Sequence, residues 1–323
     1  MESTSGEYCG IGVMVQQNRT TGIITAIKVF ANSPAFEAGM LPGDILYQVD
    51  GETVTGKDLD LVLKENIRGE EGTYVDITVL RGENAEETPL HVERRSIEVP
   101  TVEYQMLENQ VGYIYVTQFD EVTAKQFEDA IDDLEDQGME KLVIDLRNNP
   151  GGVLDTAVEM LAYVLPEDKL DGMLVYTADK NGEGDRYFCK DGKIQRESDD
   201  GSRDSRYPKE DDHELDVPLA VLVNGNSASA SEVFTGAVMD YDAGIVVGTT
   251  TFGKGIVQNL IPLGDGTAIK LTTAHYYTPN GFDLHGKGLE PDVVVEMDEE
   301  LQKKAVVELS EDNQLQAAIE AMN

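Results

Sequence analysis

Leu219-Ala220-Val221-Leu222-Val223-Asn224-Gly225-Asn226-Ser227-Ala228-Ser229-Ala230-Ser231-Glu232 is the stretch from which the fold can be read. Five unbroken apolar residues predict a strand buried on both faces. Asn224-Gly225-Asn226 turns the chain, and a helix follows from Ser229 to Met239. Working outward, the same alternation repeats. Val111–Val116 predicts a strand, and Phe127, Ala130, Ile131 and Leu134 form one face of a helix that Gly138 ends. Leu142–Leu146 predicts a short buried strand, Asn148-Asn149-Pro150-Gly151-Gly152 a sharp turn, and Leu154, Val158, Leu161 and Ala162 another helix. Further strands are expected at Ile245–Val247, Ile256–Leu260 and Ala268–Ala274. This order favours a mixed, largely parallel sheet with covering helices.

The first hundred residues read differently. Ile23–Phe30 is a β-rich run. Ser33-Pro34-Ala35-Phe36-Glu37-Ala38-Gly39 has a capping serine, a proline in first helical position and a terminating glycine. Ile45, Tyr47 and Val49 alternate, Leu59, Val62, Leu63 and Ile67 have helical spacing, and Tyr74–Leu80 alternates again. The composition shifts at Val99-Pro100. The chain is therefore expected to be an α/β multidomain protein. A mostly β domain would span 10–99, and an α/β domain 100–323. Residues 1–9 would be a truncated N-terminal remnant. Between Asp179 and Asp216 the chain is polar, charge-dense and glycine-containing, and a surface excursion is expected there.

With 323 residues, 40% apolar and 27% charged, the composition is that of a soluble globular protein. The net charge of -37 opposes binding to nucleic acid or to anionic lipid. Cys9 and Cys189 are too far apart in sequence for a metal motif, and two free thiols are expected. His-Glu-x-x-His and nucleotide-binding fingerprints are absent, so no cofactor and no metal are expected. No apolar run is long enough to span a bilayer, and no secretory signal opens the chain.

Four segments carry chemistry, each beside a plain structural reading. In 227–231, serines alternate with alanines after a buried strand. They could simply cap and pack a helix. Alternatively, Ser229 is a nucleophile on a strand-to-helix turn, where the helix N-terminus steadies developing negative charge. Lys254 lies between Gly253 and Gly255. It could reach solvent from a turn, and a phosphate-loop reading lacks the required spacing. As a base for Ser229 it would have to be neutral, which needs a dry pocket without a close carboxylate. Gln258, four residues on, could hydrogen-bond the amine without adding charge. Gly151 and Gly152 at a strand end could start a helix, or could present N–H groups to an oxyanion with Ala230. Gly10-Ile11-Gly12-Val13 could be a bend, or a loop binding a peptide carboxylate while the peptide extends a sheet edge.

Taken together and in order, these segments resemble the C-terminal processing peptidases, also called tail-specific proteases, from Gly10 to about Asp292. Phe252-Gly253-Lys254-Gly255-x-x-Gln258, Asp145-Leu146-Arg147-x-Asn149-Pro150-Gly151-Gly152 and Tyr276-Tyr277-Thr278-Pro279-x-Gly281 join the serine motif in that resemblance. It implies Ser229 as nucleophile, Lys254 as general base, Gln258 as the residue that orients the lysine, and Ala230, Gly151 and Gly152 as the oxyanion hole. It implies a PDZ-like domain at 10–99 that binds substrate tails through Gly10, Ile11, Gly12 and Val13 and gates the site. It also implies protein substrates cut near unstructured C-terminal tails, and an extracytoplasmic location. Dimerisation and membrane anchoring would depend on N-terminal segments that this sequence lacks.

Two other readings compete. A histidine-based hydrolase would use His275 or His285, with His91 and His213 as ordinary residues. A non-catalytic peptide-binding scaffold would keep a relic protease fold.

Overall fold

The computed structural model describes residues 4–82, 84–165, 172–190, 193–208, 215–264, 267–304 and 307–323. The chain divides into two compact units, Met1–Pro100 and Thr101–Asn323.

The first unit is mostly β. Its six-stranded antiparallel sheet runs in the order Val13–Gln17, Ile24–Val29, Ile45–Val49, Tyr74–Arg81, Glu86–Glu93, with the short strand Glu52–Thr53 paired to Ile45–Val49 off that path. Alternation drives it: Val75, Ile77 and Val79 are buried while Tyr74 and Asp76 face outward. The strand Glu7–Gly10 pairs separately with Arg95–Glu98. Ser33 caps the short helix Pro34–Glu37, its hydroxyl accepting from the Phe36 N–H at 3.2 Å. The helical spacing of 59–67 resolves into one α-turn, Leu59–Leu61, continued as a π-helix, Val62–Ile67. Arg94, almost fully buried, donates to the carbonyls of Asn66, Ile67 and Tyr74 at 2.7–2.8 Å. It thereby satisfies carbonyls that the end of that helix leaves open.

The second unit is built on a six-stranded sheet. Its order is Val293–Val294, Ile245–Gly248, Leu219–Val223, Lys141–Asp145, Val111–Val116, Val102–Met106. Every pair is parallel except the last. Alternate residues serve opposite layers. Ile114, Leu142, Ile144, Val221 and Val223 pack with the helices Thr123–Asp136, Leu154–Val164 and Ala230–Asp240. Tyr113, Val143, Ala220 and Leu222 pack with Leu315 and Ala318 of the C-terminal helix Asn313–Ala321. The uninterrupted apolar strands of the sequence are thus buried on both faces. The fold class is the one expected: a mixed, largely parallel sheet with covering helices, and a mostly β first unit.

One expectation is corrected. The stretch 179–216 is not a surface excursion. It holds the strands Asp185–Lys190, Lys193–Ser198 and Arg203–Pro208 of a second, wholly antiparallel sheet. That sheet continues through Met173–Ala178 and Ala268–Tyr277 to Ile256–Pro262. Tyr187, Cys189 and Ile194 are buried in the core. Charge density hid these strands because the buried Tyr187, Cys189 and Ile194 stand among lysines, arginines and acids. Cys9 and Cys189 lie in different units and are not joined in a disulfide.

Candidate active site

The strand Leu219–Val223 lies at the middle of the parallel sheet, and its carboxyl end delivers the 224–232 segment to the sheet's edge, where open α/β sheets place ligands. Of the three alternating serines, two are fully buried. Ser227 Oγ donates to the Leu146 carbonyl at 2.7 Å, and Ser231 Oγ to the Asn149 carbonyl at 3.0 Å. They pin the turn to the neighbouring strand. Ser229, half-buried, stands at φ 57°, ψ -115° immediately before the helix Ala230–Asp240. A non-glycine residue held there costs on the order of 1–3 kcal/mol. This is the strand-to-helix elbow expected for a nucleophile.

Glu232, fully buried, ties the elbow to the lysine segment. One carboxylate oxygen accepts from the backbone N–H of Ser229 at 2.9 Å and of Lys254 at 2.8 Å. The other accepts from the Gly253 N–H at 2.7 Å and the Thr251 hydroxyl at 2.6 Å. Thr251 Oγ1 in turn accepts from the Leu289 N–H at 2.8 Å. The sequence reading quoted Glu232 within the motif but gave it no role. Its signal was a capping-box position three residues after Ser229. Its link to residues more than twenty positions away is visible only in three dimensions.

The glycines flanking Lys254 have a steric cause. A Cβ on Gly253, at φ +84°, would sit 2.9 Å from the Gly288 nitrogen, and one on Gly255 would sit 2.7 Å from the His285 nitrogen. The 285–288 backbone therefore packs directly against the lysine segment. The Lys254 side chain itself is exposed. Among the described residues its ammonium has no hydrogen bond or ion pair. This differs from the dry pocket expected of a working base. Gln258 is also exposed, and its amide donates to Thr272 Oγ1 at 3.3 Å across the hairpin. The backbones of Ser229 and Lys254 are thus joined, while the side chains of Lys254 and Gln258 are not.

The turn at 148–152 lies against the elbow. A Cβ on Gly151, at φ +94°, would come within 2.5 Å of the Ala228 carbonyl oxygen and 2.8 Å of the Ala230 nitrogen. Only glycine permits that approach. The Gly151 N–H donates to Asn149 Oδ1 at 2.9 Å. The N–H groups of Gly152 and Ala230 have no hydrogen-bond partner among the described residues. Behind the turn, buried Arg147 donates to both Asp145 oxygens and reaches the C-terminal helix through Asp312, at 2.7 and 3.1 Å, and Gln314, at 2.9 Å. Tyr113 donates to Asp145 at 2.7 Å, and burial beside that carboxylate pushes its phenol well above the ordinary tyrosine range.

His275 Nδ1 stands 3.3 Å from Asp283 Oδ2, and its ring meets that of His285 edge-on at 4.8 Å. His213 lies outside the described residues. Among the described residues no group of side chains could hold a metal ion. No helix among them is long and apolar enough to cross a membrane.

In the first unit, Ile11 is buried and its carbonyl accepts from Ala35, while the Gly12 carbonyl accepts from Phe30. The N–H groups of Gly12 and Val13 face the Tyr8 phenol, over whose ring Arg68 lies at 5.0 Å. Burial raises the Tyr8 hydroxyl, and Arg68 and those two N–H groups oppose the rise.

Known proteins were compared with the chain. The model of peptidase family S41 matches residues 110–295, and that of the PDZ domain residues 9–92. A "Probable CtpA-like serine protease" of Staphylococcus aureus is 38% identical over 295 residues, which cover 91% of this chain and 54% of that protein. The protein of the same description from Staphylococcus haemolyticus is 38% identical over 294 residues, with the same coverage. The chain thus spans about half the length of these curated relatives. A solved structure described as "Putative S41 protease from Bacteroides fragilis" shares the fold at 20% identity, with a TM-score of 0.54 over 98% of this chain and 82% of that one. Since the family model takes in more than half of its length, the chain belongs to peptidase family S41, the C-terminal processing peptidases, with a PDZ domain preceding the peptidase region in sequence.

Proposed function

We propose that the chain is a serine endopeptidase that cuts protein substrates near unstructured C-terminal tails. Ser229 is the nucleophile and Lys254 the general base. The observation that carries this reading is the Glu232 carboxylate, which joins the Ser229 elbow to the Lys254 backbone inside the fold. Lys254 accepts the hydroxyl proton as Ser229 attacks the peptide carbonyl. The N–H groups of Gly152 and Ala230 receive the oxyanion, with Gly151 shaping the turn that holds them. The lysine then donates the proton to the leaving amine, and water releases the acyl group.

An ammonium in water stays charged at neutral pH. Turnover therefore requires the Lys254 side chain to be drawn out of solvent, with Gln258 moving from Thr272 to the amine. The exposed Lys254 and the Gln258–Thr272 bond fit a resting state that substrate converts. Peptide tails would be taken up by the PDZ domain at Gly10, Ile11, Gly12 and Val13. An extracytoplasmic location accompanies this reading.

The test is cleavage of a peptide with an unstructured C-terminal tail. Ser229→Ala and Lys254→Ala should each abolish turnover, and a His275/His285 double replacement should retain it. Turnover that survives either single change sinks the assignment. A wild-type chain that binds peptide but neither cleaves it nor reacts with a serine-directed phosphonate is a scaffold, not an enzyme.

A further inference from the structure

The hairpin of Ile256–Pro262 and Ala268–Tyr277 begins two residues after Lys254. Its neighbour in the sheet, Met173–Ala178, reaches the hairpin only at His275, Tyr276 and Tyr277. Among the described residues, the rest of the hairpin is therefore a two-stranded ribbon beyond the sheet. Such ribbons are marginal in water unless one face is covered.

One face of this ribbon is apolar and open. Ile261 pairs with Ile269, and Asn259 with Leu271. Directly opposed residues share a face, so Ile261, Ile269 and Leu271 stand together, with Leu263 following at the same spacing. Their exposures are 44%, 49%, 49% and 55%. The setting makes this unusual. The chain carries a net charge of -37, yet residues 256–277 contain one acid, Asp265, and, besides His275, one base, Lys270. Ile256–Pro262 is also the edge strand of its sheet, and among the described residues no strand pairs with its outer side.

We propose that this ribbon is a docking rail for extended polypeptide. An unfolded segment with apolar residues at alternate positions adds as a third strand along the outer edge of Ile256–Pro262. Main-chain hydrogen bonds hold it, and its alternate side chains cover Ile261, Leu263, Ile269 and Leu271. The rail starts beside Lys254, so a strand laid on it is led toward Ser229. A second copy of the chain is the poorer occupant, because two bodies of net charge -37 repel each other. This inference names the substrate class for the peptidase reading and rests on it.

The experiment uses a C-terminally amidated peptide with alternating apolar residues. Amidation removes the carboxylate that a PDZ loop would take. Its binding to the Ser229→Ala chain is followed by fluorescence anisotropy, and its cleavage by the wild type is timed in parallel. Ile261→Thr with Ile269→Thr keeps β-branched residues and removes apolar surface. This pair should weaken binding, and raise KM, by roughly ten-fold. The rate of phosphonate labelling at Ser229 should stay within about two-fold. N-methylation of alternate peptide nitrogens should cost a similar factor on the unsubstituted ribbon and less on the substituted one. Unchanged binding by the substituted ribbon overturns the rail, whether or not the chain cleaves. Weakened binding without any wild-type cleavage keeps the rail and removes the peptidase reading. A dimer in sedimentation that the two substitutions dissolve identifies a second copy as the occupant and overturns the proposal.

Discussion

Replacing Glu232 by glutamine probes the joint between the elbow and the lysine segment. The carboxylate accepts four hydrogen bonds, from Ser229 N, Lys254 N, Gly253 N and Thr251 Oγ1, at 2.6–2.9 Å, with none of its surface exposed. Glutamine keeps one acceptor oxygen and turns the other into an NH2 donor. If the oxygen stays with Ser229 and Lys254, the NH2 faces Thr251 and Gly253. The Thr251 hydroxyl can reverse its role, but the Gly253 N–H cannot. One buried donor is then unpaired, at about 1–3 kcal/mol, and the surviving bonds lose their charge assistance. A net loss of about 2–4 kcal/mol follows from those terms. For a unit of this size, about 2–4 °C per kcal/mol gives a fall in Tm on the order of 5–15 °C. Because the lost bond holds Gly253, next to Lys254, and the weakened ones hold the backbones of Ser229 and Lys254 themselves, kcat should fall by more than about a hundred-fold with KM little changed. Thermal melting and steady-state cleavage below the variant's Tm read the two effects separately. Wild-type Tm together with wild-type kcat would refute the reasoning. Normal kcat at lowered Tm would reduce Glu232 to a structural tie.

Three further outcomes are expected. Gly151→Ala places a Cβ 2.5 Å from the Ala228 carbonyl oxygen at a φ of +94°. It should lower kcat by at least about a hundred-fold by displacing the elbow, as peptide cleavage and phosphonate labelling would both report. Asp312→Ala leaves Arg147 buried with half its carboxylate partners and should cost about 3–5 kcal/mol in urea unfolding, whereas breaking an exposed pair such as Lys57–Glu52 should leave the urea midpoint nearly unchanged. In the first unit, burial pushes the Asp44 carboxyl up, but Arg81 at 2.6 Å and the Leu41 N–H outweigh it and hold it below the usual range. The folded carboxyl is therefore the stronger acid. Its contribution is full above the unfolded value of about 3.9 and is lost as pH falls through the lower folded value. The stability gap between wild type and Asp44→Asn, taken from denaturant titrations at stepped pH, should accordingly shrink below about pH 4.

How much was legible in the sequence follows the range of the interactions. Ser33 capping its helix and Gly138 ending the 123–136 helix at φ +84° are settled within a few residues. Leu219–Val223 was equally plain, because a strand buried on both faces has no polar register to hide. Ser229 was identifiable as a candidate for the same reason: strand, turn and helix occur in one short run. The antiparallel strands of 185–208 were not legible. Their buried residues, Tyr187, Cys189 and Ile194, are few and stand among lysines, arginines and acids, so no apolar alternation marks the strands.

The sequence by itself determined most local elements, the largely parallel sheet and the strand-to-helix turn that carries Ser229, because these depend on periodicity and on near neighbours. Only the tertiary structure decided that Glu232 holds Ser229 and Lys254 by their backbones, that Asp312 braces Arg147 from the far end of the chain, and that the Lys254 side chain stands in solvent. Those outcomes hang on hydrogen bonds between segments brought together by packing, and no spacing rule along one chain encodes which distant donor a buried carboxylate will meet.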